Sequence, residues 1–351
     1  MLEGPLFPNI TRFTIPIILT SVLQLLFNAA DLVVVGQFCG SVSVAAVGAT
    51  GSITGLLVNF FIGLSVGAGV AVAHGLGGRE NQVVHRTVHT ALPTAILSGA
   101  ILTVAGLTYS ETFLIMMGTP DTVLPLSTVY MRIIFCGVTF NMVYNFCASI
   151  LRAAGDTKSP LVFLLFAGVL NVILNLVFVI QFQMNVAGVA LATVLAQTIS
   201  AFLCLWKLLR MRDVFDLTLH YLKPCSAPIA NIIRIGVPSG ITQAIFSVAM
   251  LVVQSLTNSF GEMVIACNVI VMRVDGFAMM PYTGQNVGAR RLDRVHQGAK
   301  QGTWIAVGIS AFLTALILLF GRQLMGVFTE TAVLVDLSMR MMQILAFGYI
   351  A

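Results

Sequence analysis

The stretch FTIPIILTSVLQLLFNAADLVVV (13–35) decides how this chain folds. A helix crosses the hydrocarbon core of a bilayer with about 20 apolar residues, and this run is long enough. Its one charge is Asp31. A carboxylate at that depth is costly and marks a functional position in membrane segments. Of the 13 acidic residues, only Asp31 and Asp275 fall well inside long hydrophobic runs. The others sit near run ends or in connections. That asymmetry points to an ion or cation site inside a membrane protein.

Composition agrees. The chain has 351 residues, 58% of them hydrophobic and 9% charged, with a mean hydropathy of +0.98. A soluble domain carries roughly 25% charged residues. Backbone in lipid must satisfy its own hydrogen bonds, which leaves helices or a closed barrel. The runs are long and continuous, so helices are expected. The net charge of +5 does not indicate nucleic acid, because the basic residues cluster in alternate connections. The first hydrophobic run is too long for a cleavable signal and lacks a small-residue cleavage site. The six cysteines, at 39, 136, 147, 204, 225 and 267, form no CxxC pair and no metal spacing.

Ten hydrophobic segments are expected, at roughly 13–36, 44–73, 88–109, 126–150, 160–182, 186–206, 229–257, 263–282, 301–320 and 333–351. One set of connections carries Arg12, Arg79, Arg86, Arg152, Lys158, Lys207, Arg210, Arg212, Lys223, Arg234, Arg290, Arg291, Arg294 and Lys300, which is 14 of the 18 basic residues. The other set carries Glu111, Asp121, Glu262, Arg322, Glu330 and Asp336. Cytoplasmic loops are the positive ones. The N-terminus and the long connection after the sixth segment are therefore expected in the cytoplasm.

The chain also repeats itself. Pro16 and Pro238 stand early in segments one and seven. LGGRENQVVH (76–85) is similar to VGARRLDRVH (287–296), and YMR (130–132) to SMR (338–340). Six segments separate the copies, so the two units run parallel, a known transporter architecture. Their spacing differs: 61 positions separate Pro16 from Gly77, but only 50 separate Pro238 from Gly288. About three helical turns are thus expected to be missing near Pro281. The sequence also stops within segment ten. It reads as an incomplete twelve-segment chain; the alternative is a natural ten-segment protein.

Polar stripes mark the helices of the first unit. Gln24, Asn28 and Asp31 share one face of segment one, at spacings of four and seven. Segment two offers Ser52 and Asn59, and segment four Asn141 and Asn145. Segment five offers Asn171 and Asn175, and segment six Thr193 and Gln197. Each amide alone could simply bridge helices. Several stripes with one buried carboxylate suggest a cavity. Desolvation disfavours the charged form of Asp31. It can take a proton, pair with a monovalent cation, or hold a cationic substrate. These states compete for one site, and competition is itself a coupling mechanism. Oxygens of Asn171, Asn175 and Thr193 could complete a shell for sodium.

In the second unit, Asn268, Arg273 and Asp275 lie on segment eight. They read either as a structural charge cluster or as a coupling element. Gln243, Ser247 and Gln254 form a polar face on segment seven. His85 and His89 are four apart where segment three begins; they read as interface residues or, with further ligands, a metal site.

LQLLFNAADLVVVG (23–36), RAAGDTKSP (152–160), NVILN (171–175), GVALATVLAQ (188–197), MRVDGF (272–277) and TGQNVGARRLDRV (283–295) together resemble the multidrug and toxic compound extrusion (MATE) family, in its bacterial DNA-damage-inducible-like branch. The resemblance spans essentially the whole chain. It implies an all-α polytopic membrane protein of two parallel six-helix repeats, with twelve helices expected and about ten present here. Residues 1–210 would form the N-lobe, 211–228 a cytoplasmic linker and 229–351 an incomplete C-lobe. It implies a secondary antiporter that exports organic cations in exchange for Na+ or H+ by alternating access. Such a protein is a bacterial inner-membrane protein and a monomer, and takes no cofactor beyond its coupling ion. Asp31 corresponds to the family's first-helix carboxylate, and Asn145, Asn171 and Thr193 resemble polar members of its cation site. Asn175 stands where many members carry a second aspartate.

Two other readings require chemistry of a different kind. A flippase for lipid-linked sugars, the alternative transporter, calls for basic residues deep in the cavity, and the first unit has only Arg132 near a helix end. A membrane enzyme calls for a nucleophile–base or metal motif such as HExxH, which the sequence lacks.

Overall fold

The computed structural model describes residues 6–215, 217, 226–257, 304, 315 and 319. Segments eight to ten, with Asn268, Arg273 and Asp275, lie outside the described residues. The described chain is helical: α1 (Leu6–Phe38), α2 (Ser41–Gly77), α3 (Asn81–Met116), α4 (Leu124–Ala153), α5 (Lys158–Leu176), α6 (Asn185–Arg210), α7 (Arg212–Phe215) and α8 (Ser226–Thr257). A single π-helical turn, Val177–Gln181, continues α5. Six of these helices, α1 to α6, are long and apolar enough to cross a membrane.

The helices run past the apolar segments read from sequence. Segment three was expected over 88–109, whereas α3 spans Asn81–Met116. Hydropathy marks only the part that lipid requires; the ends continue into water and are set by turn residues. Gly155 shows how. It takes φ +93° just past α4, a left-handed value glycine adopts without strain. Asp156 then starts α5: its Oδ1 accepts the Ser159 N–H at 2.9 Å and its Oδ2 the Ser159 hydroxyl at 2.6 Å. Lys207 at the end of α6 stands 3.8 Å from the same carboxylate.

Within the bundle, α2 packs on α8, α3 on α4, α4 on α6 and α5 on α6. The main core gathers Ala68, Val72, Val88, Tyr144, Cys147, Ile150 and Leu151 from α2, α3 and α4, with Cys204 and Leu208 from α6. A second cluster joins Leu102, Met131, Phe135 and Met142. Large apolar side chains also cover the outside, Leu97 at 63% and Val104 at 66% exposure. Water would penalise that surface; lipid does not. Hydroxyls bond back to their own helices, as with Ser98 to the Thr94 carbonyl at 2.8 Å.

Both predicted proline positions lie inside helices, Pro16 in α1 and Pro238 in α8. Each is followed four residues later by a threonine that donates to the proline carbonyl, Thr20 at 2.7 Å and Thr242 at 2.9 Å. Proline removes one ladder bond, and the hydroxyl back-bond favours a bend at the same turn. α3 carries a further internal proline, Pro93.

Candidate functional site

Asp31 lies deep in the bundle at 8% exposure, with Asn171 at 5% and Asn175 at 0%. Three helices bring the group together: α1 supplies Asp31, α5 both asparagines one turn apart, and α6 Thr193. The Asn175 amide donates to Asp31 Oδ1 and also to Asn171 Oδ1 at 3.3 Å. The Thr193 hydroxyl stands 3.3 Å from Asp31 Oδ2 and 2.9 Å from the Val189 carbonyl. Asn171 Nδ2 lies 3.3 Å from the Thr193 hydroxyl. Turning the Asn171 amide over instead puts its nitrogen 2.9 Å from Asp31 Oδ1.

Donor arithmetic defines what this group can do. A hydroxyl has one proton, so Thr193 cannot donate to Val189 and to Asp31 at once. The Val189 contact is the shorter. Asp31 Oδ2 is then short of a donor. Asn175 Oδ1 is buried with no partner among the described residues. Asp31 Oδ2 and Asn175 Oδ1 are thus buried acceptors that this arrangement leaves short of a donor. The ion pairs Arg132–Glu111 (3.6 Å) and Lys207–Asp156 lie elsewhere. A proton or a small cation would satisfy these oxygens.

Below the site, Val34 and Val35 of α1 pack with Val179 of the π-turn and Val189 of α6, and Tyr130 of α4 joins them. Tyr130 thus packs against residues three and four positions along α1 from Asp31. Sequence reading did not single it out. One tyrosine near a helix end looks like any interfacial aromatic; only the packing of α4 brings it to this valine cluster. The π-turn directly after Asn175 was also unforeseen. Such turns occur at functional sites.

The other candidates are placed differently. Gln24 is half-buried on α1, while Asn28 is exposed. Asn145 does not bond into the Asp31 group; its amide donates to the Asn141 carbonyl at 2.8 Å and side-chain oxygen at 2.9 Å. Gln197 is half-buried on α6. Asn59 donates to the Ser247 hydroxyl at 3.1 Å, and Ser247 to the Gln243 carbonyl at 2.8 Å. The side chains of Ser52 and Gln254 lie outside the described set. His85 and His89 stack with ring centroids 4.0 Å apart, and His89 Nδ1 is 2.9 Å from the His85 carbonyl.

The MatE family model matches residues 16–177 and 238–351, two stretches that open on Pro16 and Pro238. The chain is 29% identical to the probable multidrug resistance protein YoeA of Bacillus subtilis, over 97% of this chain and 78% of that protein. It is 28% identical to the probable multidrug resistance protein YpnP of the same organism, over 99% and 80%. Its fold superposes with a TM-score of 0.90 on a multidrug resistance MATE family transporter of the MOP superfamily in an outward-facing conformation, at 24% identity, covering 99% of this chain and 80% of that one. With most of its length matched by the family model and its helices arranged as in a solved transporter, the chain belongs to the MatE family of multi-pass membrane transporters and is not an enzyme.

Proposed function

We propose that the protein exports organic cations and drugs in exchange for a monovalent cation, Na+ or H+, bound at Asp31. The observation that carries this reading is the pair of under-served acceptors, Asp31 Oδ2 and Asn175 Oδ1, at a buried carboxylate whose hydrogen-bond partners are neutral. Without a proton or cation, Asp31 and Asn175 would leave buried acceptors unmet, which costs about 1–3 kcal/mol for each group and more for a charged one. Ion and organic cation then compete for the same oxygens, and entry of one expels the other. The names of the Bacillus relatives favour drug export over a lipid-linked sugar flippase.

The two-lobe division, 1–210 and 229–351 joined by 211–228, belongs to the same reading. It is supported by the family match beginning afresh at Pro238 and by the matching threonine back-bonds after Pro16 and Pro238. The lobes would alternate access around the Asp31 site, in a plasma membrane, with the N-terminus cytoplasmic.

Efflux of a fluorescent organic cation from proteoliposomes tests the proposal. A sodium gradient and a proton gradient are applied separately, to the native sequence and to Asp31→Asn. One gradient should drive efflux in the native protein and neither in the variant. Gradient-driven efflux by a correctly inserted Asp31→Asn protein would sink the assigned role.

A further inference from the structure

Helices α2 and α8 touch backbone to backbone. A side chain on Gly63 would collide with the Gly240 backbone and stand 2.8 Å from the Gly236 carbonyl; one on Gly67 would lie 2.5 Å from the Ile232 carbonyl and 2.7 Å from Gly236 N. The fit is reciprocal: a Cβ on Gly236 would lie 2.7 Å from the Leu64 Cα, and one on Gly240 would strike the Phe60 carbonyl. Both helices thus present glycines four apart, Gly63–Gly67 and Gly236–Gly240, the spacing that permits close membrane crossings. A second observation sits just beyond the crossing. The Asn59 amide spans the seam to the Ser247 hydroxyl at 3.1 Å.

The position of this seam matters. Gly63 and Gly67 lie in the second half of α2, and Gly236 and Gly240 in the first half of α8, so with a cytoplasmic N-terminus the crossing falls in the cytoplasmic half of the membrane. Further out, among the described residues, nothing lies within 4 Å of a Cβ on Gly48 or Gly51, and only the Asn59 amide, at 4.0 Å, meets one on Gly55. Gly48 and Gly55 lie within about 80° of Gly63 around the helix at 3.6 residues per turn.

We infer that the four-glycine crossing of α2 and α8 is the cytoplasmic gate between the two lobes, and that the Asn59–Ser247 hydrogen bond is its latch. The inference rests on the two-lobe exporter reading above. Glycines suit a gate. The backbones seal against each other at the four glycines, with no side chain of their own to withdraw, and one polar bond biases the closed state. Adding a methyl at the seam overpacks it and should favour the open gate.

The test places a reporter cysteine at Gly55 in a background lacking the six native cysteines, with Asn81→Cys marking the loop face next to the gate. Membrane-impermeant maleimide should label the Gly55→Cys protein from the extracellular side. Adding Gly63→Ala or Gly240→Ala should raise labelling from the cytoplasmic side roughly tenfold or more, the scale on which an overpacked methyl moves a two-state equilibrium. Unchanged sidedness in folded alanine variants overturns the gate. Independently, the Asn59→Cys/Ser247→Cys pair, bridged by an oxidant, should stop cation efflux, and a reductant should restore it. Undiminished efflux by the bridged protein overturns the gate as well. The expected labelling in a protein that exports no cation would leave the gate standing and refute the exporter reading instead.

Discussion

Asp31 and Asn175 are hydrogen-bonded directly to each other across α1 and α5. The asparagine supplies a donor to the carboxylate, and hydrogen bonds to charged groups contribute about 1.5–3 kcal/mol. Asn175→Ala should therefore lower the detergent-solubilised protein's stability by about that amount, read as a fall in unfolding temperature. Asp31→Asn should cost less stability, because amide can replace carboxylate as the partner of Asn175, while removing ion-driven efflux. The two variants thus separate folding from coupling. Asp31, Asn171, Asn175 and Thr193 were all legible in the sequence, since polar residues at helical spacing in apolar runs stand out. Their grouping was not. A helical wheel shows which residues share a face but not which helix that face meets. So Asn28, three residues from Asp31, is exposed, and Asn145 bonds to Asn141, while Tyr130 enters unannounced.

At the scale of elements, the closest approach of a glycine to the backbone of another of the first six helices, among the described residues, joins α3 to α4. A Cβ on Gly99 would lie 2.5 Å from the Thr139 Cα, and the Thr103 hydroxyl crosses to the Phe135 carbonyl at 2.8 Å. Backbone cannot step aside as a flexible side-chain tip can. Gly99→Ala should destabilise the protein by about 1–3 kcal/mol, the usual cost of overpacking. Gly51→Ala, with nothing within 4 Å among the described residues, should be neutral within the error of a thermal-shift measurement. Hydropathy made the existence and order of the helices legible, because lipid forces each span to be continuous and apolar. It could not show helix ends beyond the lipid, such as the start of α3 seven residues before its apolar run. Nor could it show the π-turn, whose Val179 is held by Val34, Val35 and Val189, contacts remote in sequence.

At the scale of the whole molecule, charge sets direction. Arg79 and Arg86 flank the start of α3, Arg152 and Lys158 the α4–α5 connection, and Lys207 and Arg210 the end of α6. By helix order all six lie at one end of the bundle, with Glu111 and Asp121 at the other. Arg210 also stacks over Trp206 at 4.1 Å, an aromatic–cation pair suited to the membrane interface. Each basic residue near an anionic leaflet contributes roughly 1 kcal/mol, so six bias the insertion by several. A cysteine at Asn81 should then react with impermeant maleimide only when the cytoplasmic face is opened, and one at Thr119, in the α3–α4 connection, from outside intact cells. Neutralising one loop with Arg79→Ala and Arg86→Ala should leave that pattern intact, because four basic residues still hold the same face. Reversed labelling of the unaltered loops would place the N-terminus outside. The α2–α8 crossing would then close the extracellular end of the path.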